Sequence, residues 1–367
     1  MSTFIQLHLL TCYPPSNLNR DDLGRPKTAI VGGVERLRVS SQSLKRAWRT
    51  SDVFQSALAG NVGVRTKEMG VMVHKALTEG RSLDDVLRDQ KTGEGKLPKL
   101  SDAKARAVAK AVAGVFGALK KPDAAKPHVE LEIEQLAHFS PEEIAAVFEL
   151  VEKRRADGKT PEAQELALLR AKASAADIAL FGRMLADAPE YNIEAAAQVG
   201  HAFGVERATV QDDFFTAVDD LNRPGEDSGA GHMGVMEFGS ALFYLYICVN
   251  RDLLRENLGD KALADRALRA LVQAAATVAP TGKQNSFASR SAASFVLAEK
   301  GEDQPRSLVA AFLQPVSGPD MLANAREILS RTKANMDTAY GLSLQALAFN
   351  PHDGEGTLAG LLDFVAE

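Results

Sequence analysis

The sequence predicts an α+β fold in which a split βαβ sheet of the ferredoxin-like kind carries a large helical insertion. Three observations predict it. Residues 3–11 alternate apolar and polar; Phe238 to Val249, Ala262 to Val278 and Ala293 to Ala298 read as strand, amphipathic helix, strand; and Leu58 to Pro189 is Ala-rich, charge-rich and helical in pattern. A chain of 367 residues, 45% hydrophobic and 25% charged, can build more than one core and is not disordered in bulk.

Taken in order, Ile5, Leu7 and Leu9 fall on one face of the first strand, with Gln6 and His8 on the other, the period of a half-buried strand. Pro14, Pro15, Asn17, Asn19, Gly24, Pro26, Gly32 and Gly33 predict an irregular loop as far as Leu37. Ser40 or Ser41 then caps a helix reaching about Phe54, with Leu44, Ala47 and Trp48 on one side and Gln42, Lys45 and Arg49 on the other, Arg46 beside them. Within the insertion, Ser82 with Asp85, Ser140 with Pro141 and Glu143, and Thr160 with Pro161 mark helix starts, and Val129 to Ile133 alternates briefly like a strand. Residues 199–236, with Phe214, Phe215, Thr216, Asp219, Asp220, Pro224 and glycines at 225, 229, 231 and 234, predict a projecting loop or hairpin. Pro319 to Thr332 reads as a further helix.

Several function classes lose their support. The longest apolar run, Phe238 to Val249, is too short to cross a bilayer, the N-terminus lacks a secretory pattern, and Cys12 and Cys248 form neither a disulfide framework nor a zinc spacing, so a cytoplasmic protein is expected. Gly229-Ala230-Gly231-His232-Met233-Gly234 matches G-x-G-x-x-G, but it follows a polar loop and precedes a strand, the reverse of a dinucleotide site. Thr281-Gly282-Lys283 lacks the upstream glycine and the following Ser or Thr of a P-loop. The seven histidines show no metal-binding spacing, and the adjacent Asp219 and Asp220 suit turn and cap roles better than a shared magnesium ion.

The charge distribution is more informative than the net charge of −5. Between Asn17 and Arg49, eight cations (Arg20, Arg25, Lys27, Arg36, Arg38, Lys45, Arg46, Arg49) stand against three anions, the footprint of a phosphate-neutralising patch on an acidic body. Ser40, Ser41 and Gln42 at a helix N-terminus, with Lys45, Arg46 and Arg49 behind them, combine N–H groups, hydroxyls and fixed charge. A solvated amphipathic helix is the plain alternative. Phe214 and Phe215, in a polar, glycine-rich context, suit contact with bases or a partner groove as well as a small hairpin core.

The runs Asn17–Asp22, Arg38–Ala47, Ala179–Met184, Phe214–Leu221 and Gly231–Gly234 closely resemble the CasC family of the Cas-seven superfamily, the backbone of the type I-E CRISPR surveillance complex, Cascade. The blocks keep the family's order over residues 1 to about 250; the insertion and the last hundred residues resemble it mainly in layout. The resemblance implies an RRM-like (ferredoxin-like) palm at 1–57 and 237–367, helical fingers at 58–190 and a β-hairpin thumb at 199–236. It implies copies of the chain stacked along CRISPR RNA with other Cascade subunits, holding the guide's backbone and presenting bases to target DNA, with no cofactor, metal or catalytic residue. By position, Arg20, Lys27, Ser40, Gln42, Lys45, Arg46 and Arg49 would grip phosphates, Arg183 and Met184 would sit at a displaced base, and Phe214, Phe215 and Thr216 would belong to the thumb. Phe214 stands where members carry a tryptophan. Lys153, Arg154, Arg155 and Lys159 lie near where members hold target duplex, although their charge also fits a solvated helix end. The residues themselves carry no aromatic RNP1-like string, so backbone binding without sequence preference is expected. The rival reading is a metal-dependent ribonuclease cutting target RNA through Asp219 or Asp220, as type III relatives do with a thumb-loop aspartate.

Overall fold

The computed structural model describes residues 2–89, 95–217 and 232–367. The chain divides into two units, one of Met1–Ala57, Ala197–Asp252 and Asp265–Glu367, the other of Leu58–Ala196 and Leu253–Ala264.

The first unit opens with β1 (Phe4–Ser16), β2 (Thr28–Val31), β3 (Val34–Val39), α1 (Ser41–Arg49) and α2 (Asp52–Ala57). The second holds β4 (Val64–Thr66), α3 (Met69–Glu79), α4 (Leu83–Leu87), α5 (Asp102–Phe116), β5 (Ala137–Phe139), α6 (Pro141–Asp157) and α7 (Ala176–Phe181). Then follow β6 (Ala197–Val199), β7 (Ala202–Gly204), β8 (Val210–Ala217), β9 (His232–Asn250), α8 (Arg251–Leu258), α9 (Lys261–Thr277), α10 (Gln284–Phe287), β10 (Phe295–Gly301), α11 (Met321–Tyr340), β11 (Gln345–Phe349) and α12 (Leu358–Ala366).

Nine strands of the first unit form one sheet in the order β11-β10-β1-β9-β7-β3-β2, with β6 and β8 also pairing along β9. β9 and β10 flank β1 and both run antiparallel to it, so they are parallel to each other and joined through α8 and α9 as a split βαβ connection. The chain is thus mixed α and β, with a large antiparallel sheet. One sheet face, carrying Leu10, Leu242, Tyr244, Phe295 and Leu297, packs with Leu308, Phe312, Ala325 and Leu329. The second unit has its own core, in which Val73 and Leu77 of α3 meet Val108 and Val112 of α5 and Val147 and Val151 of α6.

Local chemistry explains where the structure departs from the sequence pattern. β1 is buried on both faces: Gln6 and His8 are wholly inaccessible. The Gln6 amide oxygen and both His8 ring nitrogens have partners there. Tyr246 Oη and the Arg306 N–H donate to Gln6 Oε1, both at 2.8 Å, while His8 lies 2.9 Å from Tyr244 Oη and 3.0 Å from Glu299. The stretch before Leu37 is not all loop, because Val31-Gly32-Gly33-Val34 closes the β2–β3 hairpin with φ of +59° and +77°, the two left-handed residues of a type I′ turn. At Gly32 a Cβ would also lie 1.8 Å from the Leu313 carbonyl oxygen. The helix expected to reach Phe54 breaks after Arg49. Ser51 Oγ donates to the Trp48 carbonyl and accepts the Phe54 N–H, starting α2 afresh.

In the insertion, Ser82 and Ser140 cap α4 and α6, Ser140 within a reciprocal capping box with Glu143. Thr160 is not a cap, since the short 3-10 turn Ala163–Leu166 is capped by Glu162. Val129–Leu131 is a 3-10 turn rather than a strand, although Ile133 beyond it bridges Leu119. Three residues of alternation are too few to separate a strand from a tight turn.

Candidate nucleic-acid interface

The loop from Asn17 to Lys27 is built by its own polar side chains. Asn17, only 1% exposed, donates from its amide to the carbonyls of Gly24 and Glu237 at 3.0 and 2.9 Å, fastening the loop to β9. Asn19 Oδ1 accepts the Ser40 N–H at 2.9 Å, and the Asn19 carbonyl accepts the Lys27 N–H at 2.8 Å. Asp21 Oδ1 accepts the N–H groups of Leu23 and Arg25. The asparagines and Asp21 are therefore scaffold, and what they hold up beside α1 are exposed Arg20 and half-buried Lys27.

In α1, Ser41, Leu44, Ala47 and Trp48 are buried, which turns Gln42 and Arg46 outward and leaves Lys45 and Arg49 half-buried. Ser40 is the N-cap: its hydroxyl oxygen accepts the Ser43 N–H, and it is itself buried. The serines thus shape the helix start, and the cations supply the charge. Arg46 and Arg49 lie in the last turn, where positive charge also suits the helix dipole.

Two residues that the sequence reading did not single out as site residues complete this patch. Arg38 Nη1 donates to His201 Nδ1 at 2.8 Å, so the imidazole proton sits on Nε2. Partial burial and then the charges of Arg38, Lys27 and Lys45 hold the His201 pKa below its ordinary value. Burial of its stem likewise pushes the Lys45 ammonium down. Arg38 was legible as charge, but its pairing with His201, 163 residues away, was not.

The hairpin expected at 199–236 is a two-stranded ribbon. β8 pairs with the first half of β9 from Val210 opposite Gly239 to Ala217 opposite His232. Phe214 faces Val235 across the ribbon and Phe215 faces Gly234, so the two phenyl rings project from opposite faces. Phe215 lies over Gly234, where a Cβ would come within 2.5 Å of the ring. Phe214, Met233 and Val235 are each more than 60% exposed, and Thr216, opposite Met233, is exposed as well. Asp219, Asp220 and the Gly229–Gly231 segment lie outside the described residues.

The cations of the second unit are disposed differently. Arg183, expected beside a base, is buried: Nη1 donates to both carboxylate oxygens of Glu143 at 2.8 and 2.7 Å, and Nη2 to the Arg170 and Tyr191 carbonyls. Met184 next to it is 73% exposed. Arg155, expected near DNA, is also buried and donates to the carbonyls of Ala76, Pro98 and Arg81. Buried Arg154 pairs with Asp157 and Glu165. Three guanidinium groups, Arg183 expected at a base and Arg154 and Arg155 expected either near target duplex or at a solvated helix end, are thus committed to internal carbonyls and carboxylates. Lys153 remains exposed, 2.6 Å from Glu165, and Lys159 is exposed at the helix end.

The chain matches the CT1975-like protein family from residue 5 to residue 359. It belongs to that family. This CT1975-like chain is also similar, end to end, to chains of two solved assemblies. One is described as a CRISPR RNA-guided surveillance complex, pre-nicking, with 29% identity, 99% of each chain covered and a TM-score of 0.80. The other is a CRISPR RNA-guided surveillance complex, with 25% identity, 99% of this chain and 98% of that one covered, and a TM-score of 0.59. A comparison of the CT1975-like chain with curated proteins finds no match. None of its helices, among the described residues, is long and apolar enough to cross a membrane.

Proposed function

We propose that this protein is the CRISPR RNA-binding backbone subunit of a Cascade surveillance complex of type I-E. Copies stack along the guide RNA, hold its phosphates without reading sequence, and present its bases to target DNA in the cytoplasm. In this reading the nine-stranded sheet is an RRM-like palm, the second unit the fingers and the β8–β9 ribbon the thumb. The role is binding and assembly, not catalysis. The observation that carries most weight is the end-to-end likeness to a surveillance-complex chain at 29% identity and a TM-score of 0.80. The cations of Arg20, Lys27, Arg38, Lys45 and Arg46 support it, gathered in the same unit as the aromatic ribbon. Phosphates supply most of the affinity in backbone recognition, which asks for cations rather than base-reading side chains.

The test is purification of the protein with its co-assembling subunits, followed by extraction and sequencing of bound RNA. Small RNAs of uniform length ending in repeat sequence are expected; recovery of no RNA would refute the reading. Cleavage of complementary RNA with magnesium, abolished by Asp219→Ala or Asp220→Ala, would establish the ribonuclease instead.

A further inference from the structure

The Thr281-Gly282-Lys283 run, which is not a P-loop, reappears in the structure against the Arg20 loop. Gly282 packs so closely beneath that loop that a Cβ would lie 2.2 Å from the Leu18 carbonyl oxygen, a position only glycine can occupy. On its far side the turn is pinned to β9, where the Phe287 and Phe238 rings lie 6.0 Å apart. Between these anchors Lys283 is exposed and adopts the left-handed conformation, φ +50° and ψ +31°. That backbone is uncommon for a residue with a Cβ, and such conformations persist where the surroundings over-determine them, often at ligand sites.

Two adjoining cavities meet at this turn. One, of about 600 Å³, is lined by Arg20, Arg25, Phe215, Lys283 and Ser286, and the other, of about 450 Å³, by Arg20, Asn19, Ser43, Thr281 and Gly282. Arg20 and Gly24 line both, so a groove runs from the start of α1 past the turn to the ribbon. Of the carboxylates lining it, Glu237 pairs with Arg25 at 2.8 Å and Asp21 Oδ1 is engaged by two backbone N–H groups, while Asp22 stands exposed at its edge. Among the described residues, neither Arg20 nor Lys283 has a carboxylate within ion-pair distance.

We infer that the Thr281–Ser286 turn is a second phosphate-holding element, in which Lys283 acts with Arg20 on the backbone of single-stranded RNA passing between α1 and the β8–β9 ribbon. The inference rests on the RNA-binding function proposed above. It places a contact in the C-terminal part of the chain, far from the basic run that the sequence displays.

The test uses the full-length chain and a fluorescent 20-nucleotide oligouridylate, with binding followed by anisotropy over a range of salt. Lys283→Gly removes the charge while relieving the left-handed backbone. It is expected to melt at or above the wild-type temperature yet bind more weakly, with the salt slope reduced by about 0.7, the loss of one single-strand phosphate contact. Lys283→Arg is expected to keep the wild-type slope. A wild-type slope in Lys283→Gly, alongside a reduced slope in Lys45→Ala, would overturn the Lys283 assignment and leave the RNA-binding reading intact. Failure of the wild-type chain to bind the oligonucleotide at any salt would overturn both.

Discussion

Arg20 and Arg183 carry the same guanidinium group and were both expected at the RNA, one on its phosphates and one beside a base, yet the fold disposes them in opposite ways. Arg20 stands exposed on a loop whose asparagines do the local hydrogen bonding, whereas Arg183 is buried, with Nη1 on both Glu143 carboxylate oxygens and Nη2 on two carbonyls. What separates them is the supply of internal acceptors. In the loop, backbone groups are already satisfied by Asn17, Asn19 and Asp21. In the insertion, the N3 glutamate of the α6 capping box, although it accepts the Ser140 and Arg170 N–H groups, and the carbonyls of short irregular segments still offer oxygens to a long cation. A cation near a motif therefore stays exposed only where the chain around it has no acceptor to spare.

The contrast can be broken most decisively at Arg183. Arg183→Ala is expected to destabilise the protein by about 3–5 kcal/mol, the cost of leaving a buried carboxylate unpaired, read as a shift of the denaturation midpoint. A change below about 1 kcal/mol would mean that Glu143 finds another partner and that the Arg183 pair adds little to the fold. The counterpart in the first unit is Lys45→Ala with Arg49→Ala. Loss of two single-strand phosphate contacts should flatten the salt dependence of RNA binding by about 1.4 in slope, roughly 25-fold in affinity at 0.1 M salt. An unaltered slope would return α1 to the status of an ordinary solvated helix.

A subtler test lies beneath the sheet. His8 is buried against Tyr244 and Glu299, with Arg306, Lys333 and Asp337 completing the cluster. Burial pushes its pKa down despite the Glu299 hydrogen bond, and Arg306 and Lys333 add to the depression. Burial also pushes the Glu299 carboxyl up, but hydrogen bonds from His8 and Arg306 outweigh it and hold the group at about 2. Below the ordinary histidine value of 6.5 the unfolded chain takes up a proton that folded His8 refuses. Stability is therefore full above that pH and declines as the pH falls below it. His8→Asn should remove this share of the acid sensitivity between pH 6.5 and 5 in thermal melts. Identical pH profiles for the two proteins would show that His8 is not the titrating group. The smallest effect is expected at Lys153, exposed and paired with Glu165. Lys153→Ala should cost less than about 1 kcal/mol, and any larger change in target-DNA affinity of the assembled complex would assign it to DNA.

How much of this could be read from the chain depends on range. The capping serines at 40, 82 and 140, the β9 run and the α9 stripe are short-range patterns, and the structure reproduces them within a few residues. The basic side of α1 was equally visible, because helix periodicity alone separates Lys45 and Arg49 from Trp48. Partners far apart in sequence were not visible. The burial of Gln6 and His8 depends on Arg306 and Glu299, nearly three hundred residues on, and the occupation of Arg155 depends on three separate carbonyls. The β2–β3 hairpin is a different kind of miss. Its Gly32-Gly33 turn lies between two β-rich runs, but the prolines and glycines around it, from Pro14 to Pro26, carry the stronger loop signal. Splitting Phe214 from Phe215 likewise needed only the two-residue period of a strand, once the segment is known to be one.

β9 runs nineteen residues without interruption, from the exposed ribbon to the middle of the sheet. At Gly239 it exchanges β8 for β1 as a partner, with no break in the strand. Anything that tugs on the ribbon along its length therefore pulls on a ladder anchored from Tyr13 to Phe4, and those rungs share the load in shear instead of unzipping singly. The ribbon is in this sense a lever rooted in the middle of the sheet, built to pass a pull on its tip into many rungs at once.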